Sequence, residues 1–222
     1  MKPRFAEVDA YISELFAPED EILLSIEPAL VAAGSSLAFA SVSPAQGKLL
    51  QLFAHMCGAK RILEVGTLGG YSTIWMARAL PSNGKLVTIE YDEKHIGVAK
   101  KHFEMAGLND RIEIKQGKAI DVLQELSENN AEPFDMVFID ADKPPYAEYF
   151  ELALKMCRKG SIIIADNVVR GGKVLDETSE DAAVQGVQRF NHMLSYNEDV
   201  YANILQTVGL KDWDGMAIAV VK

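Results

Sequence analysis

The chain has 222 residues, 49% hydrophobic and 24% charged, which is the balance of an ordinary soluble globular protein with room for a sizeable core. Its 22 basic and 32 acidic residues give a net charge of −10, which disfavours nucleic acid and anionic membranes as partners because phosphate binding needs a basic face. No run approaches the roughly 20 apolar residues that span a bilayer, and the first twenty residues lack the apolar segment of a signal peptide.

The N-terminal part of the chain is predicted to be helical. Two helices are expected near 5–16 and 19–33, and a third begins with Ser43 as N-cap and Pro44 in the first turn. Gly58 ends this third helix. We expect a single domain, with a helical extension at 1–43 and a core at 44–222.

From residue 61 onward the pattern alternates between strand and helix. Short apolar runs, rich in β-branched residues, predict strands at 61–65, 85–90, 112–116, 135–140 and 161–166. The intervening segments carry apolar residues at helical spacing, and Cys157 is placed on one of these helical faces, as Cys57 is on an earlier one. Five strands joined by helices predict an α/β fold with a parallel, doubly wound sheet.

The C-terminal part has a different pattern. After an acidic loop at 170–181, which could be either a lid or a plain surface loop, a helix is expected at 182–196. Two further strands are predicted at 203–208 and 216–221. Because the turn between them, at 211–215, is too short for a helix, we expect a hairpin and therefore an antiparallel last strand.

A glycine-rich turn follows the first predicted strand. Gly66, Gly69 and Gly70 allow a tight turn and a close approach to a ligand. A dinucleotide motif would have a second glycine at Leu68, and Glu64 would repel a pyrophosphate, so the turn suits a ligand with positive charge. Glu90 ends the second strand, where an acid can accept hydrogen bonds from ribose hydroxyls.

Acid and amide side chains end two other strands. Asp140, Asp166 and Asn167 should converge at the carboxyl edge of the sheet, because ligands of such sheets bind there. Three oxygen donors suit a hard divalent cation. Lys143 lies on the loop beside them and is expected to be functional, whereas Asp142 is expected to cap the next helix.

Other chemistry is poorly supported by the sequence. The four histidines have no metal-ligand spacing, so a zinc site is not expected. Tyr146 and Trp213 are assigned to packing rather than to a pocket. Both cysteines are expected to be buried thiols in a reducing environment, which predicts a cytoplasmic location.

Together these motifs identify a resemblance that covers residues 40–221. The chain resembles the cation-dependent class I O-methyltransferases, a family that includes catechol and caffeoyl-coenzyme A O-methyltransferases. The resemblance implies a Rossmann-like seven-stranded sheet with an antiparallel last strand, S-adenosylmethionine as methyl donor, and Mg²⁺ or another divalent cation such as Mn²⁺ or Ca²⁺. It also implies a homodimer.

The resemblance also assigns roles to residues. It implies that Asp140, Asp166 and Asn167 bind the metal, and that Lys143 is the general base, with Asp140 beside both ligands. The positions that match donor contacts are Val42, Glu64, Gly66, Thr67, Ser72, Glu90, Ala119 and Asp140. The acceptor implied is a phenolic small molecule with vicinal hydroxyls.

The acceptor region departs from well-known branches of the family. Ala38 and Phe39 stand where the animal catechol enzyme has an aromatic gatekeeper, and Arg170 stands where plant relatives often carry an aromatic residue. Three alternatives remain: methylation of a hydroxylated uridine in tRNA, which the net charge disfavours; a metal-dependent phosphatase, suggested by the Asp140-Ala141-Asp142 segment; and a regulator that binds the cofactor without catalysis.

Overall fold

The computed structural model describes residues 4–129 and 132–222; residues 1–3 of the predicted extension lie outside this part. The helices described are α1 (Phe5–Phe16), α2 (Glu21–Ala32), α3 (Pro44–Met56), α4 (Tyr71–Ala77), α5 (Glu93–Met105), α6 (Ala119–Asn129), α7 (Tyr146–Lys155) and α8 (Ala182–Ser195). The strands are β1 (Arg61–Val65), β2 (Lys85–Glu90), β3 (Ile112–Gln116), β4 (Phe134–Ile139), β5 (Cys157–Asp166), β6 (Val200–Gly209) and β7 (Asp212–Val221).

The strands form one seven-stranded sheet in the order β3-β2-β1-β4-β5-β7-β6. Strands β1 to β5 run parallel, and β7 runs antiparallel to both of its neighbours. The predicted α/β class with an antiparallel last strand is therefore confirmed. The strand order reverses between β1 and β4, and ligands of open α/β sheets bind beyond the carboxyl ends of the strands at such a point.

The N-terminal helices pack directly on the core of the sheet. In α2, Leu23, Ile26 and Leu30 are buried in the hydrophobic cluster that also contains Leu50 of α3. A side chain at Gly69 would overlap Ile26, so the glycine-rich turn and α2 are in close contact. The extension thereby covers one side of the turn that follows β1.

The predicted start of α3 is confirmed, and its cap is more extensive than expected. Ser43 accepts a hydrogen bond from the backbone N–H of Gln46, and the Gln46 side chain accepts one from the backbone N–H of Ser43. This reciprocal pair is a capping box, with Pro44 in the first turn. It fixes the Gln46 side chain near the end of β5.

Three local predictions were wrong. Cys157 begins β5 instead of lying on a helix, because α7 ends at Lys155 and the strand starts four residues earlier than the apolar run indicated. The turn at 211–215 is really a two-residue connection, because Trp213 pairs with Val208 across the hairpin. Finally, β4 is displaced by one residue, which leaves Asp140 just beyond the strand.

Within residues 4–129 and 132–222, the helices are too short or too polar to cross a bilayer.

Candidate active site

A cavity of about 910 Å³ opens at the carboxyl edge of the sheet, over the point where the strand order reverses. Its size is that of a pocket for a cofactor or another small molecule. The predicted site residues that line it are Val42, Gly66, Thr67, Ser72, Glu90, Ala119, Asp140, Lys143 and Asn167. The other two, Glu64 and Asp166, are almost fully buried and are not part of this lining.

Gly66 allows the ends of β1 and β4 to meet. Its φ of +100° lies in the left-handed region, and a side chain there would overlap the carbonyl oxygen of Asp140. The backbone N–H of Asp140 in turn donates to the carbonyl of Val65 at 2.9 Å. The turn after β1 is thus fixed against the segment that carries Asp140.

The Glu64 carboxylate is enclosed by hydroxyl groups and fully buried. It accepts hydrogen bonds from Ser72 at 2.6 Å, Thr73 at 2.5 Å and Thr88 at 2.7 Å. Burial raises the pKa of Glu64 to about 7, because the loss of hydration outweighs these three donors. Ser72 lines the cavity, so Glu64 acts on the cavity through this hydroxyl.

Glu90 is held at the end of β2 by the backbone around it. Its carboxylate accepts hydrogen bonds from three backbone N–H groups, those of Leu68, Tyr91 and Asp92, at 2.8 to 2.9 Å. Leu68 reaches this position with a φ of +50°. A carboxylate has about four lone-pair positions, so Glu90 keeps acceptor capacity on the cavity side.

His95 is a site residue that the sequence analysis missed. It lines the cavity, and its Nδ1 lies 3.5 Å from Glu90. Its Nε2 lies 2.7 Å from the hydroxyl of Ser35, in the segment that follows α2. His95 thereby links the acid at the end of β2 to the N-terminal extension. In the sequence, the only feature that could have indicated this role was the position of a histidine in the first turn of α5.

The predicted oxygen donors do come together beyond β4 and β5. Asp166 is 3% exposed, and its pKa is raised first by burial and then by the negative charge of Asp140. Asn167 follows in a left-handed conformation, with φ +58°, and lines the cavity. Gln46 of the capping box donates to Asp166 at 3.4 Å, a contact that the sequence analysis also missed.

These donors are two carboxylates and an amide. In the part of the chain that the structure describes, no group of three or more His, Cys, Asp or Glu side chains could hold a metal. The two neighbouring carboxylates, one of them buried, fit a hard cation, which would relieve their repulsion.

Lys143 is buried beside these acids, with only 7% of its surface exposed. Its Nζ donates to Asp140 at 3.0 Å and to the hydroxyl of Tyr146 at 2.6 Å. It also lies 4.7 Å from the centre of the Tyr146 ring. A side chain at Gly186 of α8 would overlap the carbonyl oxygen of Lys143, so α8 packs tightly against this backbone.

Tyr146 belongs to the core, as predicted, but it also has a polar role. Its hydroxyl lies 3.1 Å from the carbonyl oxygen of Asp166, and its pKa is raised well above 10, mainly by burial and then by the nearby acids. A tyrosine that stays neutral there accepts a hydrogen bond from Lys143. The feature of the sequence that could have indicated this contact is the position of Tyr146, three residues after Lys143.

The cap predicted at Asp142 is wrong. The N-cap of α7 is Pro145, with no side-chain hydrogen bond. Asp142 instead accepts a hydrogen bond from the hydroxyl of Tyr149 at 2.6 Å, and both residues line the cavity. Tyr149 lies one helical turn after Pro145, so its hydroxyl, rather than a backbone N–H of the first turn, donates to the Asp142 carboxylate.

The seven-stranded sheet and its cavity define a class I methyltransferase fold. The family model described as O-methyltransferase matches residues 15–220. The chain therefore belongs to the O-methyltransferase family and is an enzyme of that class.

Individual relatives agree with this assignment along almost the whole chain. A protein named catechol O-methyltransferase from Niastella koreensis is 59% identical over 218 residues, covering 98% of both chains. The structure of an O-methyltransferase from Bacillus cereus in complex with SAH has a TM-score of 0.93 at 49% identity, again covering 98% of both chains. The O-methyltransferase TomG from Streptomyces achromogenes, in complex with SAM, has a TM-score of 0.94 at 46% identity and covers 100% of this chain and 99% of its own.

Proposed function

We propose that this enzyme transfers a methyl group from S-adenosylmethionine to one of two vicinal hydroxyls of a catechol-like small molecule, with the help of a divalent cation. The observation that carries the proposal is one cavity lined by Ser72 and Glu90 as well as by Asp140, Lys143 and Asn167. The SAM and SAH of the two similar structures, and the name of the Niastella koreensis relative, support it.

The donor would bind along the turn after β1 and the end of β2. Ser72 donates its only hydroxyl proton to Glu64, so its free lone pairs suit the ammonium group of the donor. Glu90 would accept hydrogen bonds from the ribose. The remaining contacts proposed are those of Val42, Gly66, Thr67 and Ala119, which line the same cavity.

The cation would be held by Asp140, Asp166 and Asn167. These are the oxygen donors that Mg²⁺ prefers, and they would also accept Mn²⁺ or Ca²⁺. When bound, such a cation orients two vicinal oxygens and lowers the pKa of a hydroxyl. Asp140 would lie beside both the cation and the donor, since it adjoins Gly66 in the turn after β1.

Lys143 would act as the general base. Its amine would take the proton of the acceptor hydroxyl, and the freed oxygen electron pair would bond to the methyl carbon as the carbon–sulfur bond of the sulfonium breaks. The electrons of that bond would stay on sulfur, which leaves as part of S-adenosylhomocysteine. Asp140 and Tyr146 hold Nζ in place by hydrogen bonds of 3.0 and 2.6 Å. The remaining contribution is positional, because aligning two reactants removes much of the entropic barrier.

The proposal is tested by a methyl-transfer assay with radiolabelled S-adenosylmethionine. Catechol with Mg²⁺ should be methylated, EDTA should abolish the label in the product, and added Mg²⁺ should restore it. Bulk tRNA should acquire no label, because the net charge of −10 opposes phosphate binding. Equal rates with catechol in EDTA and in Mg²⁺ would contradict the cation, and label on tRNA alone would contradict the acceptor class.

We also propose that the enzyme is a homodimer. The supporting observation is a run of exposed apolar side chains on α1, namely Phe5, Val8, Tyr11, Leu15 and Phe16, a patch of the kind that marks protein interfaces. Light scattering of the unmodified protein should give twice the mass of one chain. A variant that combines Tyr11→Asp with Phe16→Asp should give the mass of a single chain. Met105→Asp, an exposed apolar residue at the end of α5, is the control. A monomeric unmodified protein would overturn the proposal.

A further inference from the structure

Within the residues that the structure describes, Arg170 differs from most of the other arginines in forming no ion pair. The other six arginines each contact a carboxylate or a carbonyl oxygen: Arg4, Arg61, Arg78, Arg111, Arg158 and Arg189. The Nε of Arg170 is buried without a hydrogen-bond partner in the described part of the chain, and none of the ion pairs found there includes this residue. A buried, unpaired N–H group is costly unless a ligand completes it.

The backbone of Arg170 is fixed in an unusual conformation. It has a φ of +56°, and its N–H donates to the Asp214 carboxylate at 2.9 Å. The same carboxylate oxygen accepts from Val169 and Gly215, each at 2.9 Å. Three hydrogen bonds to one oxygen of β7 therefore determine where the Arg170 side chain begins.

The Arg170 side chain lines the proposed active-site cavity together with Asp140, Lys143 and Asn167. Its charge also lies close enough to Tyr146 to lower the pKa of that hydroxyl against the larger effect of burial. The guanidinium is therefore beside the reacting end of the cavity. A planar, permanently charged guanidinium is the side chain best suited to bind a carboxylate through two parallel hydrogen bonds.

We propose that Arg170 determines acceptor specificity, and that it selects catechols with a carboxylate substituent over neutral ones. This inference rests on the proposed function and adds the substrate class. Among residues 4–129 and 132–222, no carboxylate forms an ion pair with the guanidinium; a bound acceptor carboxylate would form one and would give the Nε an acceptor. A neutral catechol forms no such ion pair with the Arg170 guanidinium, so its binding lacks the stabilisation that the carboxylate provides.

The experiment compares 3,4-dihydroxyphenylacetate with its primary amide, which has nearly the same shape and similar phenolic hydroxyls. The unmodified enzyme should prefer the acid by about 10- to 100-fold in kcat/KM, as charge-assisted hydrogen bonds lead us to expect. In Arg170→Met this preference should disappear because kcat/KM for the acid falls, while kcat/KM for the amide should change less than about threefold. Arg170→Lys should keep part of it, because the charge remains and the bidentate geometry does not.

Two further measurements test whether the preference arises from binding and whether it is specific to Arg170. Calorimetric binding of the acid and the amide in the presence of S-adenosylhomocysteine should show the same preference without turnover. Arg78→Met removes an arginine paired with Asp20, outside the cavity lining, and should leave the preference unchanged. Equal kcat/KM for acid and amide, or equal loss of both in Arg170→Met, would overturn the proposal. Methylation of neither compound, nor of catechol itself, would instead contradict the proposed function.

Discussion

Replacing Lys143 with methionine is expected to lower kcat by about 10²- to 10⁴-fold, the range that a positioned general base contributes. Methionine keeps most of the volume of the aliphatic stem, so packing against Tyr146 and α8 should survive. What disappears is the amine that lies 3.0 Å from Asp140 and 2.6 Å from the Tyr146 hydroxyl. Neither neighbour replaces it, because the pKa of Tyr146 is raised well above 10 and the proposed role of Asp140 is to bind the cation.

The measurement is single-turnover methyl transfer to a catechol at saturating donor and Mg²⁺, with donor affinity measured separately. Lys222→Met is the matched control. Its amine lies 4.8 Å from the centre of the Tyr201 ring, close to the 4.7 Å between Lys143 and the Tyr146 ring, but at the opposite edge of the sheet. The control should behave as the unmodified enzyme. Turnover within about threefold of normal in Lys143→Met would show that another group takes the proton.

The parts of the site predicted from the sequence share one physical basis. Apolar runs that end in polar residues mark buried parallel strands, and the carboxyl ends of such strands meet at one edge of the sheet. The convergence of Glu90, Asp140 and Asn167 around one cavity follows from that rule alone, since all three line it. The correct bounds of β1, β2 and β3 follow from the same pattern.

The parts that were missed depend on contacts between distant segments. Gln46 reaches Asp166 across 120 positions, and Ser35 reaches His95 across 60. Such contacts leave no periodic signal in the sequence, because they depend on how whole helices pack. Asp214 is a further case, since its place beside Arg170 depends on the pairing of β6 and β7.

The wrong turn in the last hairpin has a local cause. The segment at 211–215 contains two aspartates and a glycine, a composition that is typical of loops. In the structure, Asp212 takes a left-handed φ of +62° and closes a two-residue turn, while Trp213 donates from its indole to Gln206 across the hairpin. Cross-strand pairing therefore overrode the local preference of the sequence.

Replacing Glu64 with glutamine is expected to remove a pH dependence of stability worth about 3 kcal/mol. Burial raises the pKa of Glu64 from its ordinary value of 4.5 to about 7 in the folded protein, and 1.36 kcal/mol per pH unit over that interval gives this figure. The folded state therefore binds more protons than the unfolded state between pH 4.5 and 7. In that window the unmodified protein loses stability as the pH rises, and above pH 7 it carries the full cost of a buried charge.

Glutamine keeps the shape of the side chain and has no charge to bury. Its amide can donate to Ser72 while its carbonyl oxygen accepts from Thr73 and Thr88, because hydroxyl protons rotate freely. Denaturant unfolding of the donor-free protein from pH 5 to 8.5 should therefore give similar stabilities for both proteins near pH 5, and a growing advantage for Glu64→Gln towards pH 8. The exposed Glu151 provides the control, since Glu151→Gln should follow the unmodified curve. Parallel curves for Glu64→Gln and the unmodified protein at every pH would mean that the three hydroxyls offset burial completely, and that the donor meets a carboxylate already ionised.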